Sequence, residues 1–388
     1  MKRTFTFLAI ASMLIATAIY AGTMRNRASS APPLTVDAPV DPPANQKQPK
    51  IDIVIALDTS GSMSGLINAA RTKLWDIVNE ASKATPTPKL RVGLVTYGSQ
   101  GSENDGYVII QKNLTGDLDT LYGKLFALRT SGGTEYVGRA VYRSLKEMSW
   151  DSDPDTLRQI YVAGNESADQ DRGVPVSEAL QLASRMDVFV NAIFCGSEGN
   201  HDARSWLDVA NKGRGMYAAI DHNHGTVAIK SPYDAKLGAL SARLNNTYVG
   251  YGSRGAAATA NQQAQDRNAQ AAHPSAAAGR ALAKSSSVYR NDDWDLVDAR
   301  RSGKKVPKRA MPARLRKMDK TELRSYLDTK AKERAKVRDE IRKLSEKRKA
   351  YVSTEMKRQG KTEGKAFNTA VKRAMRKQAG RKGIKMMK

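Results

Sequence analysis

The chain has 388 residues, of which 40% are hydrophobic, and a formal net charge of +25. A chain of this length can bury a core without cross-links, and its single cysteine, Cys195, excludes an internal disulfide and is expected to be a buried structural residue. The basic charge is concentrated at the C-terminus. Residues 301–388 hold 32 Lys and Arg against 9 Asp and Glu, whereas residues 1–300 carry a net charge of only +2.

The N-terminus predicts export. Lys2 and Arg3 precede an apolar stretch that ends near Ala21, which is typical of a secretory signal peptide over residues 1–21. The alternative is an uncleaved anchor in the membrane. Residues 22–49 are rich in proline and predict an extended linker, so we expect the protein in the periplasm or cell envelope.

The first strand of the predicted domain is followed by a cluster of oxygen ligands. The apolar run 51–57 predicts a strand buried on both faces, and Asp58, Ser60 and Ser62 come directly after it. In open α/β sheets ligands bind at the carboxyl ends of the strands. A carboxylate and two hydroxyls are hard oxygen donors, so the sequence predicts a site for Mg²⁺ or another divalent cation.

The following segments alternate between strand and helix patterns. Apolar runs predict further strands, and apolar residues at three- and four-residue steps predict the intervening helices. We therefore expect an α/β fold, with a doubly wound, mostly parallel sheet flanked by helices and followed by a basic α-helical extension. The predicted strands are 90–97, 107–114, 159–163, 188–194 and 216–220; the predicted helices are 66–84, 117–128, 137–148, 176–186, 202–212 and 233–244.

A second loop, read together with the Asp58, Ser60 and Ser62 cluster, resembles a known protein family. Gly132-Gly133-Thr134-Glu135 precedes the helix 137–148, and with the D-x-S-x-S pattern it resembles the metal-ion-dependent adhesion site (MIDAS) of von Willebrand factor type A (vWA) domains. The resemblance covers residues 50–252. It implies that Asp58, Ser60, Ser62 and Thr134 bind the metal.

The third element of the family motif differs here. Where the family usually has an aspartate, this chain has Gly164, followed by Asn165 and Glu166. Either Glu166 or Asn165 would then reach the metal, or water would take the place, and we expect Glu166 to be the ligand because it carries a charge. The segments 231–234 and 294–298 resemble a secreted bacterial subgroup whose members carry a basic helical tail.

The C-terminal third is predicted to form a linker and a basic helical extension. Residues 253–300, rich in Ala, Gln and Ser, predict a linker with a helix over 260–272, and residues 301–388 predict a basic helical tail. Within the tail, Asp319 and Glu322 form the pattern of a capping box at the start of a helix that runs to about 356, and a second helix covers 366–379. The two could pack as a hairpin, although charged residues interrupt the apolar seam that a coiled coil needs.

Three functions are compatible with these patterns. The first is an exported binding module, whose metal keeps an open position for a carboxylate of a partner protein. The second is binding of an anionic polymer or membrane through the tail; specific nucleic acid recognition is disfavoured by export and by the few aromatic residues. The third is a zinc hydrolase using His201, His222 and His224, which is weakest because no further ligand completes a tetrahedral set. No catalytic motif supports an enzyme.

Overall fold

The computed structural model describes residues 47–220, 229–359 and 363–387. The predicted signal peptide and most of the proline-rich linker lie outside the described residues. All of the described residues belong to one compact unit.

A six-stranded sheet forms the centre of the fold. Its strand order is β4-β3-β1-β5-β6-β7, and every neighbouring pair is parallel except β3 and β4. A separate pair of short antiparallel strands, β2 and β8, joins a segment near the C-terminus to the segment just before β3. The strands are β1 Lys50–Asp58, β2 Ala84–Thr85, β3 Lys89–Tyr97, β4 Val108–Thr115, β5 Leu157–Gly164, β6 Val188–Phe194, β7 Arg214–Ala219 and β8 Lys385–Met386.

Helices cover both faces of the sheet, as predicted. Apolar residues from α3, α4 and α5 form a core with one face. The other face packs with α1, α2, α6, α7, α8, α11 and α12. The helices are α1 Ser64–Ala81, α2 Leu118–Ala127, α3 Val137–Glu147, α4 Val176–Arg185, α5 Ala203–Lys212, α6 Asp234–Asn245, α7 Gly255–Ala272, α8 Pro274–Ser285, α9 Leu296–Arg301, α10 Ala313–Arg316, α11 Lys320–Arg358 and α12 Glu363–Arg381.

The position of β1 in the sheet determines where Asp58 lies. β1 lies between β3 and β5, and its register places Asp58 beside Tyr97, the last residue of β3. Ile51, Ile53 and Val54 are completely buried, as expected for a central parallel strand. The chain therefore leaves the apolar sheet at Asp58, at the edge where β5 also ends.

The predicted linker over 253–300 differs from the structure. Most of it forms α7 and α8, which pack on α2, α6 and α1. Arg280 is buried and bridges α2 to α7, with 2.8 Å to Asp119 and 2.6 Å to Asp266. Lys284, also buried, contacts the same Asp266 at 2.7 Å. Small alanine side chains let these helices approach closely, so a composition that predicts a linker here forms part of the core.

The predicted basic helical tail over 301–388 is helical and packs on the rest of the protein. The capping box of Asp319 and Glu322 is confirmed, and α11 packs on α6, α8 and α9. Arg334 on α11 is buried, and its Nη1 lies 2.7 Å from both Asp295 and Asp298. Since α11 has these partners, it forms no coiled coil with a second long helix in the described part of the chain.

The last helix covers the sheet instead of pairing with α11. α12 packs on α1 and β7, and buries Val371, Met375 and Ala379. The side-chain amide of Gln378 donates to Asn191 of β6 over 2.8 Å. The hairpin expected from the sequence is thus replaced by a helix that completes the apolar core.

One further property concerns the bilayer. Over the residues that the structure describes, no helix combines the length and the apolar character needed to cross a membrane.

Candidate metal site

The loop after β1 folds back on its own carboxylate. Asp58 is fully buried, and its Oδ1 accepts a hydrogen bond from the backbone N–H of Ser60 over 2.7 Å. The Ser60 hydroxyl donates to Asp58 Oδ2 over 3.1 Å. Gly98 makes this arrangement possible: its φ is +87°, and a β-carbon there would lie 2.7 Å from Asp58 Oδ1. The carboxylate therefore sits in a tight pocket of backbone and hydroxyl groups.

Hydroxyl groups extend the site from Asp58 toward the surface. The hydroxyl oxygens of Ser60 and Ser62 are 2.8 Å apart. The Ser62 hydroxyl donates in turn to Asn165 Oδ1 over 3.0 Å. Ser62 is exposed. Loops after β1 and β5 thus meet at one cluster of oxygen atoms, as the sequence predicts.

The second loop is held against the first by its backbone. Gly61 N–H donates to Gly132 O over 3.1 Å, and Ser131 N–H donates to Thr59 O over 2.9 Å. Thr134 forms an isolated β-bridge with Gly98, next to Asp58. Its hydroxyl has no hydrogen-bond partner among the described residues. The predicted residues Asp58, Ser60, Ser62 and Thr134 are therefore brought together.

Glu135 is a member of this site that sequence reasoning missed. Its side chain is buried and lies beside Asp58 and Ser60. Burial, followed by the Asp58 charge, raises the pKa of Glu135 to about 9, and burial raises the pKa of Asp58 to about 6. One buried oxygen, Oε1 of Glu135, has no hydrogen-bond partner in the described part of the chain. The signal that could have found it is its position, directly after the predicted metal-binding threonine.

At the end of β5, the structure has no room for the aspartate that the family usually has in place of Gly164. A β-carbon on Gly164 would lie 2.6 Å from the Tyr97 hydroxyl and 2.9 Å from the Trp206 ring. Trp206 is fixed because its indole N–H donates to Glu166 O over 2.7 Å. Side chains larger than hydrogen are therefore excluded at Gly164 unless this packing changes.

The two candidates for the third position have different surroundings. Glu166 is exposed, and its Oε2 accepts a hydrogen bond from Gln170 over 2.9 Å. Its charge contributes to the raised pKa of both Asp58 and Glu135, so it faces the same region. Asn165, however, is the residue that contacts a site hydroxyl directly.

These groups fit a hard divalent cation. Two neighbouring carboxyl groups, Asp58 and Glu135, are buried without a Lys or Arg partner among the described residues. Buried carboxylates of this kind require compensation by a cation or a proton, and Glu135 Oε1 is left without any partner. Oxygen is the only donor element that the cluster offers, which favours Mg²⁺ over metals that prefer sulfur or imidazole. Asp58, Ser60, Ser62, Thr134 and Glu135 would hold the ion.

The other residues that the sequence singled out have different surroundings or lie outside the described residues. His201 is exposed, and its Nε2 is 3.1 Å from Asp202. His222 and His224 fall outside the described residues. Cys195 is buried and unpaired, and burial raises the pKa of its thiol, which disfavours the reactive thiolate.

Residues 52–228 match the family model of the von Willebrand factor type A domain. Several solved structures are similar at low identity. No curated protein matches the chain. Proximal thread matrix protein 1 from the mussel byssus is 14% identical with a TM-score of 0.36, over 45% of this chain and 42% of its own. A von Willebrand factor type A protein from Catenulispora acidiphila is 14% identical, with a TM-score of 0.36 over 46% and 40% of the two chains. The pilus adhesin SpaC from Lactobacillus rhamnosus GG is 15% identical, with a TM-score of 0.36 over 46% and 29%.

This chain thus spans about two fifths of the length of the mussel and Catenulispora proteins. The mostly parallel sheet with its flanking helices is the fold that the family match implies. Residues 52–228 therefore match the family model and have a von Willebrand factor type A-like fold, and a C-terminal helical region packs on them.

Proposed function

We propose that this protein is an exported binding module whose vWA domain holds Mg²⁺, or a similar divalent cation, and uses it to bind a carboxylate of a partner protein. The observation that carries the proposal is the buried pair of carboxyl groups of Asp58 and Glu135, which have hydroxyl neighbours and no Lys or Arg partner among the described residues. vWA domains are protein-interaction modules, which agrees with a binding role. No catalysis is assigned.

The site is open on one side. Ser62 and Glu166 are exposed, whereas Asp58 and Glu135 are buried. A cation at the buried carboxylates would therefore lie between the protein core and a surface that a partner can reach. A partner carboxylate would be attracted to the residual positive charge of the ion. Export is supported by the sequence of residues 1–21 alone.

A library of displayed peptides, each with one acidic residue among neutral ones, tests this function. The full mature chain is immobilised and screened with Mg²⁺ or with EDTA, and Asp58→Ala is screened in parallel. The matched control is Asp169→Ala, which removes an exposed carboxylate from the third loop.

The proposal expects acidic peptides that are enriched with Mg²⁺, lost with EDTA and lost with Asp58→Ala, but retained by the control. Enrichment that is equal with and without Mg²⁺ would contradict it, because such peptides would be binding basic side chains without the metal.

A basic segment, residues 301–317, favours a second function. Residues 301–317 carry eight Lys and Arg and no Asp or Glu, and all eight basic side chains are exposed. Their backbone is anchored by a small core that includes Leu296, Leu315 and Leu327. Lys304 is paired with Asp293, but Lys305, Lys308 and Arg309 have no ion-pair partner among the described residues. We propose that this basic segment binds an anionic polymer or an anionic membrane surface.

Charge substitutions in the full chain test this second function. The triple variant Lys305→Gln, Lys308→Gln, Arg309→Gln is compared with a control that loses three exposed charges elsewhere. The control substitutions are Arg204→Gln, Lys212→Gln and Lys236→Gln.

Binding to polyphosphate and to anionic vesicles should weaken much more in the first variant. Its salt dependence should also become less steep, because fewer counterions are released. Equal losses in the two variants would mean that only net charge matters and would exclude a defined surface.

A further inference from the structure

A cleft lies between the edge strand β7 and α12, away from the candidate metal site. Its volume is about 540 Å³, which is within the range of ligand pockets in proteins. β7 is the last strand of the sheet, and two strands separate it from β1, which carries Asp58. Its lining includes Arg214, Met216, Ala370, Arg373, Ala374 and Lys377.

The lining contains three cationic side chains and no carboxylate. Arg373 and Lys377 are exposed on successive turns of α12, and neither has an ion-pair partner among the described residues. Arg214 faces them from β7 and is partly engaged by Asp187 at 3.1 Å. Asp187 is also paired with Lys382, so its charge is already offset by two cations. The cleft therefore has an excess of positive charge.

The arrangement of these cations is unfavourable without a ligand. Arg373 and Lys377 are four residues apart on one helix, where like charges repel. Arg214 adds a third positive charge from the opposite wall. By contrast, the amide of Gln378 is used inside the protein, where it donates to Asn191. The polar groups left free in the cleft are mainly cationic.

We propose that this cleft binds a small molecule that carries a phosphate group. A guanidinium presents paired N–H donors that match phosphate oxygens, and an ammonium group adds a point charge. Met216, Ala370 and Ala374 give the same cleft an apolar part, which suits the organic body of a phosphate ester. A volume of about 540 Å³ suits a small organic phosphate.

Calorimetric titration of the full mature chain with inorganic pyrophosphate tests the proposal. Arg373→Gln and Lys377→Gln remove one lining charge each. Lys372→Gln is the matched control, because it removes the same charge from an exposed neighbour on α12 that does not line the cleft. All three substitutions are at exposed positions, and circular dichroism would verify that the fold is retained.

Pyrophosphate affinity should fall about tenfold or more in Arg373→Gln and in Lys377→Gln, and remain as in the wild type in Lys372→Gln. If all three variants bind equally, or if all three lose the same affinity, binding reports overall charge and the proposal is wrong.

A second measurement distinguishes the source of the phosphate. Sedimentation with phosphatidate vesicles is compared with titration by glycerol phosphate. Loss of vesicle binding in the two cleft variants alone would identify a lipid headgroup, whereas a cleft-dependent effect on glycerol phosphate alone would identify a soluble ester. If the cleft variants change neither measurement, no phosphate ester is bound and the proposal is overturned.

Discussion

The hydroxyl oxygen of Tyr97 lies 2.6 Å from the position that a β-carbon on Gly164 would take. The same hydroxyl donates a hydrogen bond to Ala163 O over 2.8 Å, so it is held in place. This packing fills the space that a side chain at position 164 would need, where the sequence resemblance to vWA domains would place an aspartate. Glu135 brings a second carboxyl group to Asp58 from the second loop instead.

Gly164→Asp should therefore destabilise the protein without improving metal binding. The new side chain would overlap Tyr97 and Trp206, and overpacking of this kind costs about 1–3 kcal/mol. Urea denaturation measures the loss of stability, and Gly164→Ala separates the effect of the β-carbon from that of the charge. A Gly164→Asp variant that is as stable as the wild type would show that the packing is easily rearranged.

Glu135→Gln should weaken Mg²⁺ binding more than Glu166→Gln does. Glu135 is buried beside Asp58, whereas Glu166 is exposed and hydrogen-bonded to Gln170. Loss of the buried carboxylate should reduce the affinity by about tenfold, which corresponds to about 1.4 kcal/mol. Calorimetry on the two variants gives the ranking. The reverse order would restore Glu166 as the expected metal ligand.

Arg334→Ala should strongly destabilise the contact between α11 and the rest of the protein. It leaves Asp295 and Asp298 buried without their cation, and breaking a buried ion pair in this way costs about 3–5 kcal/mol. Arg324→Ala, an exposed control on the same helix, should stay within about 0.5 kcal/mol of the wild type. Chemical denaturation measures both, and equal stability of the two variants would contradict the account.

Met375→Ala should show that α12 and the central sheet unfold together. Met375 is fully buried in the core that includes the sheet, and its truncation should cost about 2–5 kcal/mol. A single transition at lower denaturant, seen alike by near- and far-ultraviolet circular dichroism, is expected. Separate transitions would mean that the C-terminal helices form an independent unit. A chain ending near Asp298 would lose this core, so truncation cannot separate the two proposed functions.

The sheet could be predicted because buried parallel strands are continuous apolar runs. The strand predicted over 188–194 coincides with β6, and Asp319 caps α11 as predicted, although α11 ends two residues beyond the predicted end near 356. Asp58, Ser60, Ser62 and Thr134 could also be predicted, because each has a fixed place in a short motif next to a strand or helix.

The C-terminal packing and Glu135 could not be predicted in the same way. α7 and α8 contain many alanines and few large apolar residues, and their buried Arg280 and Lys284 look like surface residues in the sequence. Their burial depends on ion pairs with residues of other helices. Arg280 pairs with Asp119 of α2, and Lys284 pairs with Asp266 of α7. Glu135 resembles any charged residue in a loop until the fold places it beside Asp58.

The proposed function requires a divalent cation site at Asp58 and its neighbours. Its most direct test is calorimetric titration of Mg²⁺ into the full mature chain and into Asp58→Ala, with Asp169→Ala as the control. We expect one binding event in the wild type and the control, and none in Asp58→Ala at the same concentrations, because the variant lacks the buried carboxylate that anchors the loop. Equal Mg²⁺ binding by the wild type and Asp58→Ala would contradict the account.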